Sequence, residues 1–524
     1  MTDIAHFKVE GALDVPETAQ RDSWGVNIEQ MIWGHRLIND QSPWLLLLET
    51  IAIMAARASD KNKGSIFLPL SGKHEKFSYD VPMRADLRSL LFQDPVLDRI
   101  AADGDTLSDE AKWEKWRGKR SPAEVAHLRE RFDKFSSFHD AVDLLRAAVV
   151  EPERGRRATS RHLIPGGTDM LTADYGISKK TGKVTSDRKF FARGGEIVFL
   201  MLNRSSLAER VEELVRRRLL VDTGRWNRVA KLLQKPSEPT EEVDAIQYRV
   251  GYLPLPHHFV YDRLAEDWAA ILSLEQLPDD QLAEPLMRVT GLHVARYIVE
   301  RSAEVLGRRQ DQPMPVDMAM TSAGGLRRVS RERFQLHREL SRLAISKTVD
   351  DFAASDPWQQ AGAAGDPTAR RKQLLSEVLS FKVDQKTTDP TRMIEELREE
   401  ALAKHANHLG QMLGVQAERI GLAVSRVGQG RWYAANNGFL EALVLANVTA
   451  PVELERYLET IWARYRLVIG PAIGQRELGT DAPFEQLRVN QRVFEERLRM
   501  LGFLERLSDD CAFVRNPYHQ ADGK

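Results

Sequence analysis

The residues best suited to chemistry lie near the end of the chain. Arg488, Arg492 and Arg499 recur at spacings of four and seven, which at about 100° per residue puts them in one narrow arc of a helix. Leu487, Phe494, Leu498 and Leu501 fall in a second arc, well over a quarter-turn away. Such a helix docks by its apolar arc and turns an arginine stripe outward, where guanidinium groups neutralise phosphates or pair with guanine edges. Arg497 and Arg515 join the stripe as candidate DNA-contacting cations. Glu495 sits beside the stripe and subtracts from it, so a solvated face of Glu–Arg pairs is the alternative.

Two further basic stretches invite the same question. Arg216, Arg217, Arg218, Arg225, Arg228 and Lys231 surround Trp226, as a nucleic-acid groove with an aromatic platform requires. Glu209, Glu212 and Glu213 precede them, which favours an ordinary charged helix surface. Arg188, Lys189 and Arg193, with Phe190 and Phe191, lead into Gly194-Gly195 at the start of a helix. Backbone amides there could receive a phosphate. The nucleotide-loop pattern G-x-x-x-x-G-K-[ST] is missing, and a structural turn is the preferred reading.

Metal and catalytic signals are thin. His405 and His408 share a helical face but lack a nearby carboxylate or third histidine in sequence. His257-His258 are adjacent and point apart. Asp384-Gln385-Lys386, with Glu377 upstream, is the nearest approach to a Mg²⁺-nuclease triplet, a pattern that arises readily in a chain that is 29% charged. No Gly-x-Ser-x-Gly elbow occurs. The one cysteine, Cys511, excludes an intramolecular disulfide framework and reads as a small apolar residue. The expectation is a protein with no catalytic residue, no metal and no cofactor, and with double-stranded DNA as its partner.

The elements that must carry these residues read as mainly α. A chain of 524 residues exceeds one ordinary core, so a multidomain helical protein is expected. Its formal net charge is −1, so any nucleic-acid contact has to come from a local basic face. Ser42-Pro43 starts a helix whose apolar run, Trp44 to Ala56, falls short of the roughly 20 residues that span a bilayer. With no secretion signal, the location expected is cytoplasmic and away from membranes. The divisions expected are a helical domain at 1–150, a basic, loop-rich and helical segment at 151–235 and a central helical domain at 236–354. A linker or exposed loop at 355–370, long helices at 371–436 and a winged-helix-like domain at 437–524 complete the chain. The last rests on three helices, the third over Phe484–Leu501, followed by two short apolar runs around Ser508-Asp509-Asp510.

Trp33-Gly34-His35-Arg36-Leu37, leading into Gln41-Ser42-Pro43-Trp44, and the segment Arg188 to Glu196 resemble large proteins of multi-gene bacterial anti-phage islands, particularly methylation-associated defence systems. The resemblance covers the N-terminal two-fifths. It implies an accessory subunit acting beside a DNA methyltransferase and an ATPase or nuclease, and carries no site residue with it. The combined expectation is a non-catalytic DNA-recognition or scaffold subunit of such a complex. A nuclease with scattered acidic residues and a protein–protein adaptor are the alternatives.

Overall fold

The computed structural model describes residues 7–14, 27–34, 37, 41–58, 65–67, 78–82, 90–91, 94–102, 106–118, 122–147, 149–150, 159–160, 175–177, 184–186, 194–221, 223–234, 245–249, 251–308, 312–320, 325–508 and 511–519. Within them the chain is mainly helical, with a few small sheets. Arg188, Lys189 and Arg193 lie outside the described residues.

Helices α1 (Ile28–Trp33) and α2 (Pro43–Ala58) open the fold. Ser42 Oγ accepts from the Leu45 amide at 3.4 Å, the cap expected from Ser42-Pro43. Helix α2 is buried along nearly its whole length, as an all-round apolar helix must be. Strand β1 (Ser78–Pro82) pairs antiparallel with β6 (Ala245–Arg249). Helices α3 (Pro95–Ala102), α4 (Asp109–Arg117), α5 (Pro122–Arg131) and α6 (Phe135–Arg146) gather around Trp113, Trp116, Phe135 and Phe138, all buried. Asp94 caps α3 and accepts from Trp116 Nε1 at 2.9 Å, joining two of these helices.

The loop-rich region supplies short hairpins. Strand β2 (Val149–Val150) pairs with β3 (Thr159–Ser160), and β4 (Tyr175–Ile177) pairs with β5 (Val184–Ser186). Helices α7 (Gly195–Asn203), α8 (Ala208–Arg218) and α9 (Arg225–Leu233) follow. The centre consists of α10 (Phe259–Leu272), the 23-residue α11 (Ala283–Val305) and the 30-residue α12 (Gly325–Ala354). Helix α11 is the hub, packing against α2, α10, α12, α16 (Leu409–Ile420) and α17 (Asn437–Asn447). A Cβ on Gly291 would lie 2.5 Å from Ile420 and 2.9 Å from Pro43, so α2 and α16 approach α11 where it has no side chain.

The stretch expected to be a linker at 355–370 contains α13 (Asp356–Gly362) and the start of α14 (Pro367–Leu379), with Trp358 and Ala361 buried. Alanine suits helix, and Pro367 sits harmlessly in a first turn capped by Asp366. Helix α15 (Pro390–Asn407) precedes α16, which ends at Ile420. Gly421 takes φ +87° there, terminating the helix, and β8 (Ala423–Arg426) pairs with β9 (Gly430–Tyr433).

The C-terminal unit runs α17, β10 (Val452–Glu453), α18 (Leu454–Tyr465), β11 (Leu467–Val468), α19 (Pro471–Leu478), α20 (Phe484–Met500), β12 (Leu504–Ser508) and β13 (Cys511–Val514). The hairpin β12–β13 adds β10 as a third strand, in the order β10-β13-β12. Helices followed by this hairpin give the winged-helix-like outline expected. Three features were not anticipated. Helix α19 stands between the second and the last of the three helices expected. Residues 452–453 are extended because they pair with Phe513 and Val514, and α18 starts only at Leu454. Strand β11 pairs in parallel with β7 (Met314–Pro315), tying this unit to the central helices. The buried apolar residues form one continuous cluster from Ile28 to Val514.

Candidate nucleic-acid interface

Helix α20 sits as its sequence pattern requires. Leu487, Phe494 and Leu498 are buried, and the Phe494 ring stacks on Tyr457 of α18 at 6.4 Å. Gly502, at φ +80°, stops the helix, and the Phe503 amide bonds back to the Leu498 carbonyl at 2.9 Å. The opposite face carries Arg488, Arg492 and Arg499, all exposed. Arg488 meets only Glu485 at 3.7 Å, while Arg492 and Arg499 form no ion pair among the described residues.

Glu495, the acid that weakens the stripe in sequence, is drawn aside. Arg506 of β12 binds its carboxylate at 2.6 Å, and only 15% of the Glu495 side chain is exposed. Glu485 and Glu496 remain on the outer side, so the stripe is a modest cationic face rather than a strong one.

The other candidates are dispersed. Arg497 faces backward: Nη1 donates to the Ala435 carbonyl at 2.6 Å, and Nε and Nη2 donate to Asn437 Oδ1. Burial lowers its pKa, and the side chain acts as a strut to the start of α17. Arg515, just after β13, is half-exposed and paired with Glu505. Arg218 is buried, donating to the carbonyls of Leu272, Leu274 and Leu277 and to Asp279. Arg216, Arg217 and Arg225 pair with Glu212, Glu213 and Asp280 at 2.9, 4.0 and 3.3 Å. Arg228 is exposed. This arrangement is the charged helix surface that sequence favoured.

The Gly194-Gly195 turn has no amide to spare for phosphate at Gly195. That N–H donates to Glu49 at 2.7 Å, and a Cβ on Gly195 would strike Glu49 and Thr50. The turn is therefore a close helix–helix contact between α2 and α7. The Asp384–Lys386 triplet lies in a turn, where Asp384 caps the Lys386 amide at 2.9 Å, and not on a strand beside a second acid.

Long-range folding also builds constellations that sequence could not reveal. Glu29 of α1 accepts from His405 at 3.1 Å and lies 3.8 Å from His408, supplying the carboxylate missing from their local sequence. Burial pushes the Glu29 carboxyl up, but the two histidines outweigh it and hold it below its ordinary range. Ser341 Oγ lies 3.1 Å from His405 Nε2, completing a Ser–His–Glu chain. Ser341 is buried mid-helix and also donates to the Arg338 carbonyl. The chain joins α1, α12 and α15 as a structural relay.

Among the described residues, Asp98, His139 and Asp143 bring three potential metal-ligand atoms together. Arg146 binds Asp98 at 2.7 Å and lies 3.6 Å from Asp143, so a cation already balances that surface cluster. No helix of the described residues is long and apolar enough to cross a membrane. No protein-family model matches the chain, and no curated protein matches it.

Proposed function

We propose that this chain is a non-catalytic DNA-recognition or scaffold subunit of a bacterial anti-phage or restriction-type complex, working beside a methyltransferase, ATPase or nuclease. The observation that carries the DNA reading is the outward placement of Arg488, Arg492 and Arg499 on the helix preceding the hairpin, with Glu495 engaged by Arg506. The defence-complex context rests on the resemblance of the N-terminal segments.

Replacing all three arginines by glutamine preserves helix propensity and leaves the Leu487–Phe494–Leu498 face intact. The variant is expected to fold normally and bind duplex DNA more weakly. Each lost phosphate contact should reduce the log–log salt slope by about 0.9. Anisotropy titrations over a range of salt concentrations measure this. Equal binding by parent and folded variant at every salt concentration removes α20 as the DNA-contacting element.

A protein adaptor is the second reading, favoured by exposed Phe484, Val489, Met500 and Leu507 on the same helix and hairpin. These apolar side chains suit the core of a protein interface better than a phosphate backbone. Retained capture of a partner subunit by the triple Arg→Gln variant, with DNA binding absent in the parent, selects this reading.

A further inference from the structure

The hairpin β8–β9 is a finger with a clamped root and a bare tip. At the root Trp432 and Tyr433 are buried against α12. Ser330 Oγ accepts the Tyr433 amide at 2.9 Å, and Tyr433 Oη meets His337 Nδ1 at 2.7 Å. At the tip residues 425–430 are all exposed, Val427 fully so at 104%. Gly428 and Gly430 take φ +75° and +78°, the left-handed conformation that turns the chain back over so few residues. A Cβ on Gly428 would meet nothing within 4 Å.

The charge around this finger has one sign. Arg327, Arg328 and Arg331 stand in the first two turns of α12, and Arg426 and Arg431 in the hairpin. Neither 325–331 nor 423–433 contains an acid, in a chain whose net charge is −1. The acids that neighbouring segments supply are engaged: Asp317 by Arg327 at 3.2 Å, Glu332 by Arg328 at 3.0 Å and Glu418 by Arg431 at 2.6 Å.

Arg331 and Arg426 form no ion pair among the described residues. They flank one residue of the turn. Arg426 is the cross-strand partner of Gly430, and a Cβ on Gly430 would lie 3.6 Å from Arg331 Cδ. Arg331 Nη1 also donates to the Gln429 carbonyl at 3.5 Å, and the Arg426 guanidinium lies 5.8 Å from the Trp432 ring. Both cations are thus held beside a projecting tip and face no carboxylate.

We propose that the β8–β9 hairpin is a second DNA contact, its tip entering a groove of the duplex while Arg331 and Arg426 bind flanking phosphates. Phosphate oxygens supply the counter-charge that these two cations lack. A two-stranded ribbon tipped by Val427, Gly428, Gln429 and Gly430 suits the B-form major groove, about 12 Å wide, which admits a β-ribbon. The deep, narrow major groove of A-form RNA does not admit it. The inference rests on the DNA-binding reading for its partner, but on none of the α20 arginines.

Anisotropy titrations of the full chain on a DNA duplex, and on an RNA duplex of the same sequence, test the inference. Arg331→Gln/Arg426→Gln should stay folded and lose about 1.8 from the log–log salt slope, about 0.9 for each phosphate. Between about 50 and 200 mM salt the parent's affinity should then fall about twelvefold more than the variant's. Val427 adds nothing to the core, so Val427→Glu and Val427→Lys should melt with the parent. The first should bind DNA several-fold more weakly and the second more tightly, with smaller shifts on RNA. Unchanged affinity and slope in the folded double variant overturn the inference, and equal shifts on RNA overturn the choice of DNA. If the double variant melts early, the Val427 pair decides: opposite shifts sustain the inference, and unchanged affinity in both overturns it. A triple Arg→Gln variant of α20 that binds like the parent, beside weakened hairpin variants, removes the α20 reading and leaves this one standing. The reverse pattern overturns this one alone, and no DNA binding by the parent overturns both.

Discussion

Replacing Asp267 by alanine is expected to lower folding stability by about 3–5 kcal/mol, the range for breaking a buried ion pair from one side. Asp267 lies on α10 and is fully buried. Its carboxylate accepts from His293 Nε2 of α11 at 2.7 Å and from Tyr465 Oη of α18 at 2.8 Å, and it pairs with Arg464. One side chain thus fastens two central helices to the C-terminal unit. Alanine strands the buried imidazole and removes the acceptor of the Tyr465 hydroxyl, and Arg464 keeps Glu266 as its one carboxylate among the described residues. Asn447, which donates to Tyr465 at 2.7 Å, does not replace a charge.

The pH dependence follows from the same contacts. Burial pushes the Asp267 carboxyl up, but His293, Arg464 and Tyr465 together bring it below its ordinary value. A carboxyl whose folded pKa is depressed contributes stability that is complete above its unfolded pKa, about 3.9. That contribution is lost as pH falls through the folded value. The stability gap between parent and Asp267→Ala should therefore be flat near neutrality and begin to close below about pH 4. Urea unfolding of both proteins from pH 7 downward measures the gap. A neutral-pH gap below about 1 kcal/mol would show that the network is not what joins these helices.

The contrast between Arg499 and Arg497 explains how far the candidate site was legible. Helical periodicity places Arg499 with Arg488 and Arg492, and that arc is outward in the structure. The same arithmetic puts Arg497 on the far side, where it braces Ala435 and Asn437. Grouping it with the stripe by residue type alone ignored that angle. The apolar arc and the hairpin were readable because both follow from local pattern. The bond from Arg506 to Glu495 was not, since it depends on how the hairpin folds back over α20. The Ser341–His405–Glu29 chain lies further from reach, because Glu29 and His405 are 376 residues apart. Within the long helices expected at 371–436 local pattern misled: the left-handed conformation of Gly421 ends α16, and a hairpin follows. A Cβ there would also strike Asn436, so packing reinforces the stop.

Asn490→Leu is expected to cost about 2–4 kcal/mol and to weaken DNA binding without touching an arginine. Asn490 lies between Arg488 and Arg492 but on the inner side of α20, fully buried. Its Nδ2 donates to the Val316 and Ile469 carbonyls, each at 2.9 Å, and Oδ1 accepts from the Met318 and Ala319 amides at 2.6 and 3.3 Å. These bonds bracket the β7–β11 pairing and fix α20 against the central helices. Leucine is close in size but leaves those backbone groups unpaired, and an unpaired buried group costs about 1–3 kcal/mol. If the arginine stripe works as proposed, its use depends on a fixed helix orientation, because small displacements of a positioned charge remove its contacts. The variant should melt earlier, retain its helical circular dichroism at low temperature, and bind duplex DNA several-fold more weakly there. Gln486, which accepts from the Leu326 amide at 2.6 Å one turn earlier, keeps the start of α20 in place. A variant that is destabilised yet binds DNA with unchanged affinity and salt slope would show that α20 need not be held rigidly to meet phosphate. A variant of unchanged stability would mean that water replaces the amide, and that Asn490 is not the anchor its contacts make it.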